Sequence, residues 1–235
     1  MSLFQKSSQF LLDFLWPPHC VNCRAINSWL CQNCFSQIPF LNTSICKRCG
    51  IPVGAASGSP CPECEANSWQ SIDGMRAASR FSDNPIRPAI HFLKYHNHRA
   101  ITAILGKILV DAYRRYHLNV EVIVPVPLHP SRLRERGYNQ SELLAREVGA
   151  VLNLTVNTDG LQRTRKTKPQ VELSIDERRQ NVVNAFACDN QKLAGQQVLL
   201  IDDVCTTGST LDACAAALKK SGVVSVWGLT LARAY

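Results

Sequence analysis

Two adjacent carboxylates, Asp202 and Asp203, close an apolar run in VLLIDDVCTTGST (198–210), and a loop of small residues follows them. Val198 to Ile201 reads as a buried strand and Gly208 to Lys220 as the helix after it. The acids then stand at the carboxyl end of a strand, where open α/β sheets hold their ligands. Thr206, Thr207, Gly208, Ser209 and Thr210 offer hydroxyls and unhindered backbone N–H groups at a helix N-terminus, a cradle for phosphate. Acids beside an anion cradle suit one ligand that carries both hydroxyls and phosphate, such as a sugar phosphate. A plain strand–turn–helix with a solvated Asp pair and a Thr N-cap would need only one or two of these residues. The strand-end acids of a nucleotide hydrolase would need an upstream Gly-rich loop ending in Lys-Ser/Thr, and the chain has none.

The second chemical cluster is sulfur. Eight of the eleven cysteines lie between positions 20 and 64 as four CxxC pairs: Cys20/Cys23, Cys31/Cys34, Cys46/Cys49 and Cys61/Cys64. Two pairs make one tetrahedral thiolate site, so four pairs make two zinc sites. No export signal is evident, and a reducing compartment favours metal over disulfides. An iron–sulfur cluster is the remaining alternative. Seven residues separate Cys23 from Cys31 and eleven separate Cys49 from Cys61, so sequential sites close the shorter loops. That pairing gives Cys20, Cys23, Cys31, Cys34 to one zinc and Cys46, Cys49, Cys61, Cys64 to the other, with crossed pairing as the alternative. Such a segment owes its fold to the metal. It is a structural knob or a surface for DNA or protein.

These groups need elements to position them. The 235 residues, 46% hydrophobic, are enough for one large domain or a domain with an appendage. A division at residue 70 is expected, with the N-terminal helix and double ribbon in 1–70 and the ligand-binding domain in 71–235. The net charge of +8 is uneven: residues 1–70 carry four Lys/Arg against three Asp/Glu, and 71–235 carry twenty-two against fifteen. Anionic ligands should therefore meet the larger part, and the near-neutral ribbon is a poor phosphate-backbone binder by itself. The apolar patch Phe10 to Trp16 is interrupted by Asp13 and stopped by Pro17-Pro18, so it reads as an amphipathic helix packed on the protein. No stretch approaches the eighteen apolar residues of a membrane span, and a soluble cytoplasmic protein is expected.

Along the second part, Gly74 to Phe81 reads as a strand, Pro85 to Tyr95 as a short helix and 100–116 as an amphipathic one, with Ile101, Ile104, Leu105, Ile108, Leu109 and Ala112 on its apolar stripe. His91, Lys94, Tyr95, His96, His98 and Arg99 read as a solvated helix end, because no cysteine or carboxylate completes a metal set. Glu121 to Val126 is a second buried strand, ending in PVPLHPSRLRERGYNQS. Prolines 125, 127 and 130 remove backbone donors there, so Arg132, Arg134 and Arg136 either bind an anion through their forks or form a solvated helix start. Gly137 to Gln140 opens a helix that turns Leu143, Leu144, Val148 and Leu152 inward. Arg163, Arg165, Lys166 and Lys168 follow with no intervening acid, and Ser174 to Glu177 forms a capping box. The last strand is Val223 to Ala232. Cys188, Cys205 and Cys214 lack partners at metal-ligand spacing and read as small apolar fillers.

The stretch 198–210 resembles the 5-phosphoribosyl-1-pyrophosphate (PRPP) motif of type I phosphoribosyltransferases, in which four apolar residues, two acids and a Thr-Thr-Gly-Ser/Thr-Thr loop follow in order. The resemblance implies that Asp202 and Asp203 hold the ribose hydroxyls, that Thr206, Thr207, Gly208, Ser209 and Thr210 hold the 5-phosphate, and that Leu128 and His129 form the pyrophosphate loop, with Arg132 beside it. It also implies that the basic stretch around Arg163, Arg165, Lys166 and Lys168 is the mobile active-site loop, the alternative being a basic loop that contacts nucleic acid, as Arg134 and Arg136 would.

Taken with the four CxxC pairs, LKY at 93–95, VPVPLHPSRLRERGYNQ and the Gln170/Leu173/Arg178/Asn181 spacing, the chain is similar to the ComF family of competence proteins from Cys20 onward. That similarity implies an α/β type I phosphoribosyltransferase fold, a mostly parallel sheet flanked by helices, joined to a small N-terminal double zinc ribbon whose sites are each made of four cysteines. It further implies two structural Zn²⁺ ions, Mg²⁺ with PRPP, and a cytoplasmic role in DNA uptake beside a helicase-like ATPase and a DNA-loading protein. Two activities follow as expectations: displacement of pyrophosphate from PRPP onto an acceptor, or turnover-free binding of single-stranded DNA and partners.

Overall fold

The computed structural model describes residues 17–42, 45–53, 61–67, 69–95, 100–166, 175–189 and 191–235. The expected N-terminal helix, the histidines at 96 and 98, Arg99, Lys168, Gln170, Leu173 and Ser174 lie outside the described residues.

The centre is a five-stranded sheet built from β1 (Gly74–Arg80), β2 (Val122–Pro125), β3 (Thr155–Val156), β6 (Gln197–Cys205) and β7 (Ser225–Arg233). Its order is β1-β7-β6-β2-β3 and every pairing is parallel. A parallel sheet is covered on both faces, so its strands are apolar throughout. Alternation along β6 shows this directly: Leu199 and Ile201 pack into one core layer, Val198 and Leu200 into the other. The first layer is completed by α3 (Ile86–Tyr95), α4 (Ile101–Arg115) and α6 (Gln140–Leu152). The second is completed by α8 (Ser209–Lys220), through Leu211, Cys214, Ala215 and Leu218. The stripe expected on the helix at 100–116 is buried, with Ile104 half-covered.

Beyond β2 the chain turns through α5 (Pro130–Arg136) into α6 and on to β3 on one side. Beyond β6 it turns through α8 to β7 on the other. The carboxyl ends of β2 and β6 therefore flank the topological switch point, where a crevice opens. A separate two-stranded antiparallel sheet, β4 (Leu161–Arg163) with β5 (Phe186–Cys188), and the helix α7 (Ile175–Val182) are inserted before β6.

The ribbon covers the edge of the sheet. Leu41 N donates to Ala78 O and Arg80 N to Pro39 O, so the chain at 39–41 adds to the outer side of β1 and removes an exposed edge. Two short helices, α1 (Gln32–Ser36) and α2 (Pro62–Asn67), each carry the second cysteine of a pair, Cys34 and Cys64. Among the described residues no helix is long and apolar enough to cross a membrane.

Candidate functional site

Strand β6 runs four residues further than the sequence predicts. Asp202 pairs in register with Thr230 and Cys205 with Arg233, so the acids lie inside the strand and not just beyond it. Their side chains are held from α6. Asn139 caps that helix, accepting from Ser141 N at 3.1 Å, and donates to Val126 O at 3.0 Å, which ties the helix start to the end of β2. The next residues reach the acids: Gln140 Nε2 donates to Asp203 Oδ2 at 2.7 Å and Ser141 Oγ to Asp202 Oδ1 at 2.8 Å. Arg136 in turn donates to the Gln140 side-chain carbonyl.

The strongest contact is one the sequence reading places wrongly. Lys94, read as part of a solvated helix end, sits with Nζ 2.6 Å from Asp203 Oδ1. On α3 its neighbours Ile90 and Leu93 face the core, and the helix phase carries Lys94 into the crevice. Burial by itself would lower its pKa, but the charge and hydrogen bond of Asp203, with the charge of Asp202, raise it above the usual lysine value. Asp202 is half-buried; burial first, then the charge of Asp203, pushes its carboxyl up to about 7. The pair thus holds one acid in direct contact with the Lys94 ammonium beside one whose carboxyl is pushed up toward neutrality.

A cleft of about 510 Å³ opens over these acids. Arg132 and Arg136 line it, being four residues apart on one face of α5. Arg134 is exposed and does not line the cleft. Leu128 and His129 also line the cleft. The His129 ring caps α5, accepting from Ser131 N at 3.2 Å.

The phosphate loop divides its hydroxyls. Thr206 and Thr210 face the cleft. Thr207 and Ser209 bond each other at 2.8 Å and are buried, so their side chains serve the turn itself. Gly208 supplies the φ of +78° that this turn needs.

The basic stretch at 163–168 divides too. Arg163, on β4 with its guanidinium 5.3 Å from the Phe186 ring, lines the cleft, and so does Lys166. Arg165 is spent on the carbonyls of Asn181 and Val183, at 3.0 and 2.7 Å. The crevice therefore has an acidic floor, hydroxyls on one wall, and four cations besides Lys94 around its mouth. This is complementary to a polyol carrying phosphates.

Sulfur gathers in two places. The Sγ atoms of Cys20, Cys23, Cys31 and Cys34 lie within 4.8 Å of one another, and so do those of Cys46, Cys49, Cys61 and Cys64. Four Zn–S bonds of about 2.3 Å in a tetrahedron put sulfurs about 3.8 Å apart. Separations of 3.5 Å for Cys23–Cys31, 3.4 Å for Cys49–Cys61 and 3.6 Å for Cys46–Cys64 fit that ion. Burial opposes ionisation of Cys20 and Cys46, but the backbone N–H groups of the knuckles outweigh it and bring both thiols down to about 6. Each site so begins with a thiolate ready for metal. No third such group occurs among the described residues. Any Mg²⁺ at the acid pair would find two carboxylates at most, one of them already bonded to Lys94.

Sequence reasoning missed Lys94, Gln140, Ser141 and Trp69, whose indole Nε1 donates to the Thr207 carbonyl at 2.9 Å. The segments LKY and GYNQS held the signal for the first three, since they were quoted for their motif and not assigned roles.

Comparison with known proteins agrees with this architecture. A double zinc ribbon domain family matches residues 11–65 and a phosphoribosyl transferase domain family matches residues 91–233. Competence protein F of Haemophilus influenzae is 33% identical over 228 residues, covering 91% of this chain and 96% of that protein. DNA utilization protein YhgH of Escherichia coli K12 is 32% identical over 226 residues, with 91% and 96% covered. Competence protein ComFC of Bacillus subtilis is 26% identical over 240 residues, with 96% and 92% covered.

Proposed function

The chain belongs to the family of competence protein F and DNA utilization protein YhgH, a double zinc ribbon followed by a phosphoribosyl transferase domain, and from that premise we propose that its cleft binds PRPP in the service of DNA uptake or use. One observation carries the reading: a single crevice at the switch point joins Asp202 and Asp203 to Arg132, Arg136, Arg163 and Lys166 and to the hydroxyls of Thr206 and Thr210. The acids accept from the ribose hydroxyls, the loop at 206–210 takes the 5-phosphate, and the arginines with Leu128 and His129 face the pyrophosphate. We assign the zinc ligands to residues 1–70 and this ligand site to 71–235, in a cytoplasmic protein whose reduced thiolates can keep their metal.

Turnover would break the bond between ribose C1 and the pyrophosphate oxygen, which leaves with the electron pair, while an acceptor lone pair forms the new bond at C1 and the acceptor loses its proton. Arg132, Arg136 and Lys166 stabilise charge on the departing oxygens, and the acids fix the ribose as positive character develops at C1. Were Mg²⁺ bound with the substrate, Asp202 would be the free carboxylate available to it, and the ion would supply further neutralisation of the phosphates.

A second reading, a PRPP-fold module that grips single-stranded DNA without turnover, draws on the Lys94–Asp203 pair, which already satisfies one acid. Calorimetric titration of the zinc-loaded protein with PRPP and Mg²⁺, beside an Asp202→Asn/Asp203→Asn variant checked for fold by circular dichroism, decides between them. Binding by the wild type that the variant loses supports the first reading. A folded wild type that ignores PRPP yet binds DNA with steep salt dependence sinks it.

A further inference from the structure

The second cysteine cluster is joined to the phosphate loop by two buried side chains, and one of them is a guanidinium that lies against that cluster. Arg233, at the end of β7, is 1% exposed. It donates to the Cys49 carbonyl, and its Nη2 stands 4.0 Å from Glu63 Oε1, between the ligands Cys61 and Cys64. Among the described residues its Nε and Nη2 find no hydrogen-bond acceptor. A buried guanidinium so poorly paired is costly unless another negative charge is close. Four thiolates around Zn²⁺ carry a net charge of −2, and this cluster lies against Arg233.

The same guanidinium stacks 5.5 Å from the Trp69 ring. Trp69, 4% exposed, is fixed on two further sides. Its carbonyl accepts from Arg48, which lies between the ligands Cys46 and Cys49, and its indole N–H donates to Thr207 O at 2.9 Å. Both ends of this bridge are closely packed. A Cβ on Gly208 would stand 2.9 Å from Trp69 Nε1, and a Cβ on Gly50, in the cysteine knuckle, would stand 2.5 Å from the Met75 carbonyl. Among the described residues the first cluster has no such connection: Cys20 and Cys34 pack into the core layer on the other face of the sheet.

We propose that Arg233 and Trp69 are positioning residues for the phosphate loop, and that zinc at Cys46, Cys49, Cys61 and Cys64, with Arg233 as its countercharge, sets the loop's geometry. The inference rests on the reading that residues 206–210 hold the 5-phosphate.

The test uses the full zinc-loaded chain and follows three quantities: zinc released to a chromophoric chelator, amide hydrogen exchange in 205–212, and PRPP affinity. Trp69→Phe keeps the ring under Arg233 and deletes only the N–H. It should retain both zinc ions while loop exchange quickens and PRPP affinity falls, each about fivefold, the worth of one ordinary hydrogen bond. Arg233→Met should release one of the two ions at about tenfold lower chelator concentration and loosen the loop. Cys23→Ser, in the first cluster, should leave loop exchange within about twofold of the wild type. Unchanged loop exchange in Trp69→Phe overturns the proposal, as does equal loosening in Cys23→Ser. Should Arg233→Met not fold, Trp69→Phe and Cys23→Ser still decide the matter. Loop exchange that responds as expected in a protein that binds no PRPP would leave the coupling standing and remove the assignment of the ligand.

Discussion

Replacing Lys94 by Met should harm the protein more than replacing its partner Asp203 by Asn, and the reason lies in which group can reach water. Asp203 is 3% exposed, whereas the Lys94 side chain is 24% exposed. Breaking a buried ion pair from one side costs about 3–5 kcal/mol, because a charge is left behind. In Lys94→Met the stranded charge is the enclosed Asp203 carboxylate, with Gln140 as its remaining donor. Allowing for the water that already reaches Lys94, we expect a loss of about 2–3 kcal/mol. In a chain of this size that is a fall of about 5–10 °C in Tm. In Asp203→Asn the stranded ammonium can turn toward solvent, and the loss should stay near 1 kcal/mol.

The pH dependence sharpens the test. Lys94, held above the usual lysine pKa, stays charged from pH 6 to 8. Without it the acid pair has a folded pKa raised further above its unfolded value, so the native state takes up protons and stability falls as pH rises through that interval. The Lys94→Met penalty should therefore be larger at pH 8 than at pH 6. Thermal unfolding of both variants at the two pH values measures all of this. A larger loss in Asp203→Asn, or a Lys94→Met penalty that shrinks toward pH 8, would refute the reasoning.

Four further outcomes follow from the same geometry. Metal analysis should return two zinc ions per chain, and complete chelation should unfold the ribbon while denying β1 its edge cover, visible as lost ellipticity and a lower Tm. Gly208→Ala must place a Cβ at φ +78°, 2.9 Å from Trp69 Nε1, and should cost about 1–3 kcal/mol by thermal unfolding together with most PRPP binding. Because Asp202 titrates at about 7 and accepts best when ionised, PRPP affinity should rise from pH 6 to 8 in the wild type and more weakly in Asp202→Asn, where only the ligand's own phosphates still titrate. Titration calorimetry should show Arg132→Ala and Arg136→Ala each weakening PRPP about tenfold, the scale of a hydrogen bond to a charged group, with Arg134→Ala unchanged.

The arginines show what the sequence could and could not tell. RLRER presents three cations at alternate positions, which would share one face of a strand but spread around a helix. Once Pro130 starts a helix, residues 132 and 136 fall on one face and 134 on another, and only the first face meets the crevice. A charge count treats the three as equal; the helical period separates them. The stretch at 163–168 is similar. Strand β4 turns Arg163 inward, while Arg165 is occupied by carbonyls of a segment that returns sixteen to eighteen residues later. The pairing of β4 with β5 that fixes this was not legible in runs of three residues.

By contrast, the acid pair, the threonine loop and the cysteine knuckles were legible because each places its whole chemistry within a few consecutive residues, where spacing alone sets the geometry. Lys94 marks the limit of that kind of reading. An adjacent pair of acids, one buried in a low-dielectric crevice, needs a cation nearby to remain ionised, so the motif implies a partner without saying where in the chain it lies. Several cations line the crevice, but among the described residues Lys94 alone reaches Asp203 closely enough to bond it. The others stand at the mouth, where a phosphate can reach them and the acids need not. That division leaves Asp203 paired within the floor and the rim electropositive. A ligand bearing several phosphates can then be attracted to the crevice without first breaking the pair that holds its floor together.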